Sequence, residues 1–393
     1  MAEAYSPPQP GRWFARLAAL AFAATLSACA GIVPRPAPPV TPPPVTRPTE
    51  PGALPEDQQR HRVALLVPLS GANANVGQSI ANAANLALTD TGGRRIRITT
   101  YDTAAGAAAA AQKAIAEGNR LFLGPLLAAD VRAVSGVARA AGVPVISFSN
   151  DASVAGNGTY LLGFSPAQSI DRVVRYAHSQ GMTRFAGLMP SGLYGRNASN
   201  MLIKAAEAAG GSVVSMKNYD RSAQSLTAAV AALGKEQGYD AIMIADSGRI
   251  AIQAAPLIRK GGNPQARILG TELWNAEPAL NNAAVLSGAW FASVPDGMFD
   301  QLATKYRARF GKAPFRLASL GYDSVLLAVR IAGNWRVGDS FPITRLSDPD
   351  GFAGVDGAFR FGPDGIAQRT LEVHQLGPGG GTVVSPAPRG FGG

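Results

Sequence analysis

The chain reads as an α/β protein of two Rossmann-like, doubly wound parallel-sheet lobes facing each other across a cleft. Three observations predict this. Short apolar runs alternate with stretches of helical spacing from about residue 61 onward. The same strand–turn–helix pattern occurs twice, as "RVALLVPLSGANANVGQSIANAANLAL" (62–88) and "RFAGLMPSGLYGRNASNMLIKAAEAAG" (184–210). Each copy has an apolar strand, a Pro, a Ser-Gly pair and a Gly opening a helix.

The elements follow in order. "RVALLVP" (62–68) is an apolar run of strand length. Residues 77–90 place Ile80, Ala83, Ala84, Ala87 and Leu88 on one helical face. "RIRITTYD" (95–102) predicts a strand and the Ala-rich 104–117 a helix. "RLFLG" is a strand, 128–141 a helix and "VPVISF" (143–148) a strand. After the repeat restarts at 184, strands are expected in "GSVVSMKNYD", "YDAIMIAD" and "ARILGTELW". Strands alternating with helices give a parallel sheet covered on both faces. Ligands of such sheets bind beyond the carboxyl ends of the strands, so two lobes make a cleft.

The two ends read differently. Arg12 and Arg16 flank the start of a short apolar run, Leu17 to Leu26, followed by "LSAC" ending at Cys29. That is a secretory signal, and the run is too short for an ordinary membrane span. "LSAC" resembles the bacterial lipobox, so residues 1–29 are expected to be a lipoprotein signal peptide with Cys29 lipidated. With Ala30 following, the resemblance implies anchoring on the periplasmic side of the envelope, at the outer membrane. Residues 30–60 are Pro-rich and predict an extended tether. Residues 377–393, "GPGGGTVVSPAPRGFGG", predict a disordered tail.

Composition narrows the function. Cys29 is the only cysteine, so no internal disulfide is possible. The formal charge is +10, and removal of residues 1–29 leaves 34 basic against 25 acidic residues. A basic exported protein is drawn to anionic surfaces such as lipid headgroups or cell-wall polymer. No basic run with interleaved aromatics points to nucleic acid. His61, His178 and His374 stand at a strand start, in a helix and in a late strand, which disfavours a triad or a metal site. "GNGTYL" leads into a strand rather than a helix, and there is no P-loop. No cofactor, no metal and no enzymatic activity are expected.

Six segments in order are similar to type I periplasmic binding proteins of the leucine/isoleucine/valine-binding kind. They are "ALLVPLSGANANVGQ", "LFLGPLLAADVRAVSGVARAAGVPVISFSND", "LYGRNASN", "GTELW", "FGKAPFRLASLGYDSVLLA" and "FAGVDGAFRFGPDG". The resemblance covers about 61–376 and implies three crossings between lobes. Lobe 1 is then expected at 61–163 and 289–338, lobe 2 at 164–288 and 339–376.

Amino-acid binders of that family hold the ligand carboxylate with hydroxyls and backbone N–H groups after two lobe-1 strands. The matching positions are Ala128, Ala129 and Asp130, just beyond Gly124, and Ser149, Asn150 and Asp151. The first turn lacks hydroxyls and each carries an Asp, so the simple carboxylate clamp is absent. On lobe 2, Tyr194 matches a Tyr that packs over the ligand and Glu272 the acid that pairs with its ammonium. Asp246 follows a strand and faces the predicted cleft. Ser70, Asn73 and Asn75 lie on the loop after the first strand.

"VALLVPLSG", "GPLLAADVRAV" and "VPVISFSND", behind a lipobox and a Pro-rich tether, also resemble the penicillin-binding-protein activator lipoproteins. This resemblance implies a non-enzymatic regulator that stimulates a peptidoglycan synthase by protein contact. The alternative is the solute receptor of an ABC permease, taking a small polar ligand such as an amino acid or amide.

Overall fold

The computed structural model describes residues 59–391 except Gln237 and Ala276. The expected signal peptide with Cys29, and nearly all of the Pro-rich segment, lie outside the described residues.

The first sheet contains β1 (His61–Val67), β2 (Ile96–Asp102), β3 (Leu121–Leu123), β4 (Val145–Ser147) and β5 (Thr159–Leu161). Its order is β2-β1-β3-β4-β5, and every pairing is parallel. Helices α1 (Ala74–Asp90), α2 (Ala107–Ala116) and α3 (Ala128–Ala140) connect its strands. β1 is buried from Val63 to Val67, as a strand covered on both faces requires.

The chain then enters α4 (Pro166–Ser179), whose Pro sits in the first helical turn. The second sheet is built from β6 (Arg184–Pro190), β7 (Ser212–Tyr219), β8 (Ala241–Ile244), β9 (Arg267–Gly270) and β10 (Trp290–Ser293). Helices α5 (Leu193–Ala209), α6 (Ala223–Lys235) and α7 (Gly248–Gly261) alternate with them. These five strands are parallel, and two antiparallel strands, β14 (Glu372–Gly377) and β15 (Gly380–Ser385), extend one edge.

The repeated glycine has one job in both lobes. A Cβ on Gly77 would stand 1.8 Å from the Pro68 carbonyl oxygen, and one on Gly195 1.7 Å from that of Pro190. Each helix thus lies against the end of its first strand at a distance that only glycine permits.

The lobe boundaries differ from those expected. Residues 289–293 belong with the second sheet, because β10 pairs with β9 and β14. All four β10 residues are buried, which an interior strand satisfies. α8 (Gly297–Phe310) and α9 (Ala318–Ala332) return to lobe 1, where Leu302, Tyr306 and Val325 join the core around β1. The chain stays there beyond residue 338. The antiparallel sheet of β11 (Phe352–Gly354), β12 (Gly357–Phe361) and β13 (Ala367–Arg369) buries Phe352, Phe359 and Phe361 in the same core. The three crossings therefore fall near 162–165, 294–296 and 370–371.

The tail also departs from expectation. Pro378 and Gly379 form a two-residue turn between paired Gly377 and Gly380, and Gly379 has φ +88°. "GGTVVS" completes the hairpin as β15. Its Gly and Pro content marks a turn rather than disorder.

Candidate functional site

The candidate residues lie on loops that follow strands of the two sheets. On lobe 1, Asp102 ends β2 and organises the loop after β1. Its carboxylate accepts from Leu69 N at 2.8 Å, Ser70 Oγ at 2.7 Å and Ala104 N at 2.9 Å. The Leu69 N–H leads the effects that hold this carboxyl below its usual range. Ser70 is thus occupied locally, and Asn73 and Asn75 are exposed at the start of α1.

Gly124 follows β3 with φ +93°, and a Cβ there would stand 2.1 Å from Leu66 O. A cis Gly124–Pro125 bond follows. Leu127 precedes α3 and offers no side-chain cap, so the N–H groups of Ala128, Ala129 and Asp130 head the helix without one. Asp130 lies in that first turn, where a negative charge suits the helix dipole. Burial raises its carboxyl, partly offset by the Thr103 hydroxyl. That hydroxyl is buried and makes no well-formed hydrogen bond.

The turn after β4 is closed on itself. Ser147 Oγ donates to Pro125 O at 2.9 Å and accepts from Ser149 N at 3.0 Å. Buried Ser149 accepts from Asp151 N at 3.2 Å, and Asn150 is exposed. Asp151 caps a short helical turn through Ser153 N at 3.0 Å and Ser153 Oγ at 2.7 Å. It also pairs with Arg132 at 2.9 Å. Burial opposes its ionisation, but Ser153 and Arg132 outweigh that and lower its pKa.

The lobe-2 edge has a different construction. Tyr194, in the first turn of α5, places its hydroxyl 3.2 Å from Thr271 Oγ1 and 3.3 Å from Glu272 Oε1. Glu272 Oε2 is buried without a partner. Burial pushes the Glu272 carboxyl up to about 7, against the pull of its own backbone N–H, Tyr194 and Ser169.

Asp246 is 2% exposed and fully occupied. It accepts from Tyr219 at 2.7 Å, from Ser247 N at 2.7 Å and from both Nε and Nη2 of Arg221 at 2.8 and 3.1 Å. Arg221, the partner of Asp246, was not singled out from the sequence. Its φ of +70° is uncommon for a non-glycine residue. Its partner lies 25 residues away, so no local pattern signals it.

Leu127, Leu193 and Leu273 were also missed. They are 38%, 54% and 36% exposed, and each adjoins one of Ala128, Tyr194 and Glu272. Candidate residues of both lobes thus have an exposed leucine beside them in sequence.

Two of the three histidines pack against aromatic rings. His61 stacks on Trp335 and His374 on Phe291. Among the described residues no group of three or more His, Cys, Asp or Glu side chains could hold a metal ion, and no helix is long and apolar enough to cross a membrane.

Comparison with known proteins places this architecture. The model of the family described as "Periplasmic binding protein" matches residues 61–381, and the chain belongs to that family. Its fold is shared with a putative branched-chain amino acid ABC transporter protein of Rhodospirillum rubrum. That match has TM-score 0.72 and 21% identity, covering 83% of this chain and 100% of the other. The C-domain of LpoA from Haemophilus influenzae, titled a regulator of PBP1A, superposes with TM-score 0.67 and 19% identity over 82% of this chain and 99% of that domain. Full-length LpoA is covered to only 59%. An uncharacterized protein of Rickettsia prowazekii, RP748, is 26% identical over 149 residues, which span 37% of this chain and 40% of that protein.

Proposed function

We propose that this periplasmic binding protein is a lipid-anchored, non-enzymatic regulator that contacts a peptidoglycan synthase with the lips of its cleft. The observation that carries this reading is the state of the lobe-1 turns. The first offers Ala128 and Ala129 where a clamp needs hydroxyls, and Asp151 in the second is committed to Ser153 and Arg132. An α-carboxylate brought there also meets Asp130. The exposed leucines on both lips favour a protein contact. The likeness to the LpoA C-domain is consistent with it. Cys29 and the Pro-rich segment supply the anchor and the reach in this reading, at the outer membrane.

The test measures glycan polymerisation by a bifunctional synthase with and without the full chain. Stimulation is expected, and Leu193→Asp with Leu127→Asp is expected to weaken the contact at least tenfold in a folded protein. Micromolar binding of an amino acid or amide, with no effect on the synthase, would overturn the proposal.

One observation favours the second reading, a solute receptor for an ABC permease. The unpartnered Glu272 Oε2 beside Tyr194 retains the acid that pairs with a ligand's ammonium, and the Tyr that packs over the ligand, in amino-acid binders. Saturable binding of a primary amine that is lost in Glu272→Gln would select it.

A further inference from the structure

We propose that the cavity at the hinge is a carboxylate-binding subsite built on Arg316 and Arg369. Phe164, Val294 and Leu371, one from each crossing, line it together with Glu272 and the two arginines. Its free volume is about 30 Å³. At roughly 10–15 Å³ per water, that holds two waters or one group of similar size.

The donors are already in place. Arg316 lies 4.0 Å over the Phe299 ring, which fixes its plane. Its Nη1 is committed to Asp356 and Ser319. Nε and Nη2, which share the opposite edge of the guanidinium, are buried and make no hydrogen bond. Two parallel donors on one edge match a carboxylate's two oxygens. Arg369 is 8% exposed and donates Nη2 to Leu162 O at 2.8 Å, and its Nε and Nη1 are also buried without partners. Native proteins rarely leave such groups unpaired.

The neighbouring acids do not saturate these donors. Asp356 engages Arg316 on its other side, and Asp296 stands 3.5 Å from Nη2 with its own side chain 39% exposed. Asp323 accepts from Val355 N at 2.7 Å, and burial, followed by the Asp356 charge, raises its carboxyl. Glu272 lines the same cavity. An anion reaching the Arg316 edge takes the place of Asp296, the partly exposed carboxylate that stands 3.5 Å from Nη2. Glu272 is shared with the solute-receptor reading, so a variant that leaves Glu272 in place tests the subsite separately from that reading.

The full chain in chloride-free buffer is titrated calorimetrically with acetate, benzoate and N-acetyl-alanyl-alanine, with chloride as reference. At least one carboxylate is expected to saturate at a concentration tenfold or more below chloride. Saturation by acetate or benzoate identifies a small free acid as the source. Saturation by the dipeptide alone identifies a carboxylate presented on a peptide. Arg316→Lys keeps the charge and removes the paired edge, so carboxylate affinity should fall at least tenfold, whereas Arg175→Gln on the exposed face of α4 should leave it unchanged. Equal affinity for chloride, or no loss in a folded Arg316→Lys protein, would overturn the proposal. Crystals of the unaltered protein grown in acetate give an answer that needs no variant. A planar group on the Arg316 edge supports the subsite, and water alone refutes it.

Discussion

The candidate residues of the two lobes differ in how deeply their polar groups are buried. On lobe 1 the polar groups of the turn after β4 mostly answer neighbours close by in sequence: Asp151 serves Ser153, two residues on, and Ser149 the N–H of Asp151, while the longer links of Asp151 to Arg132 and of Asp102 to Leu69 and Ser70 lie at partly exposed groups. On lobe 2 they come from afar: Asp246 meets Tyr219 and Arg221 across 27 and 25 residues, and Glu272 meets Tyr194 across 78. Local hydrogen bonds shape turns, and water replaces them at small cost when they are lost. The long-range network is buried, so each member depends on the others. Lobe 1 therefore offers a shaped surface, and lobe 2 a charged interior whose protonation is set by folding.

That contrast breaks most visibly at Asp246. Asp246→Ala leaves the Tyr219 hydroxyl, the Ser247 N–H and the Arg221 guanidinium without their acceptor. A loss of about 3–5 kcal/mol is expected, the range for removing one partner of a buried ionic network. Arg221 is 56% exposed and is partly rehydrated, which favours the lower end. Urea denaturation measures it. A loss below about 1 kcal/mol would place Asp246 with the turn-forming acids of lobe 1.

Glu272 gives the next effect, and it depends on pH. The folded-state pKa is raised to about 7, above the usual Glu value of about 4.3. Between those values the folded protein holds a proton that the unfolded chain has released, so stability falls as pH rises through the window and is flat above it. Glu272→Gln removes that dependence. The variant should match the parent at pH 4 and exceed it by up to about 3 kcal/mol at pH 8, the linkage value of the shift. Asp323 is also raised, so the difference between parent and variant, not the parent curve alone, is the readout. An equal response at both pH values would remove Glu272 from the buried network.

Legibility in the sequence follows the same division. Strand and helix order is written in local periodicity, and the repeated Pro–Ser–Gly turns are matched by Gly77 and Gly195 lying against the preceding proline carbonyls. The turn-forming use of Asp151 is equally local, because an N-cap acid accepts from the backbone N–H two residues on. Arg221, Arg316 and Arg369 escaped notice because their partners are supplied by other strands and crossings. Residues 289–293 were expected in lobe 1 because the resemblance placed the crossing at 288/289, whereas the pairing of β10 with β9 and β14 moves it past residue 293. The β15 hairpin was concealed by its glycines, which belong as readily to a tail as to a tight turn.

The smallest expected effect is the sharpest test of lobe 1. Asp151→Ala removes a cap and should cost about 1 kcal/mol. Asp151→Thr combined with Asp130→Ser keeps a capping oxygen at 151, a hydroxyl in the first turn of α3, and no added volume. Stability should then stay within about 0.5 kcal/mol of the parent, with Arg132 losing only a half-exposed ion pair. If these acids do no more than form turns, stimulation of a synthase by the double variant equals that of the parent. The exchange also restores hydroxyls where amino-acid binders carry them, while Ala128 and Ala129 remain. A newly acquired millimolar affinity for a branched-chain amino acid, read by calorimetry, would show that the two carboxylates alone had excluded that ligand. Loss of synthase stimulation in the folded variant would instead show that Asp130 or Asp151 faces the partner, and the two lips would then differ in degree rather than in kind.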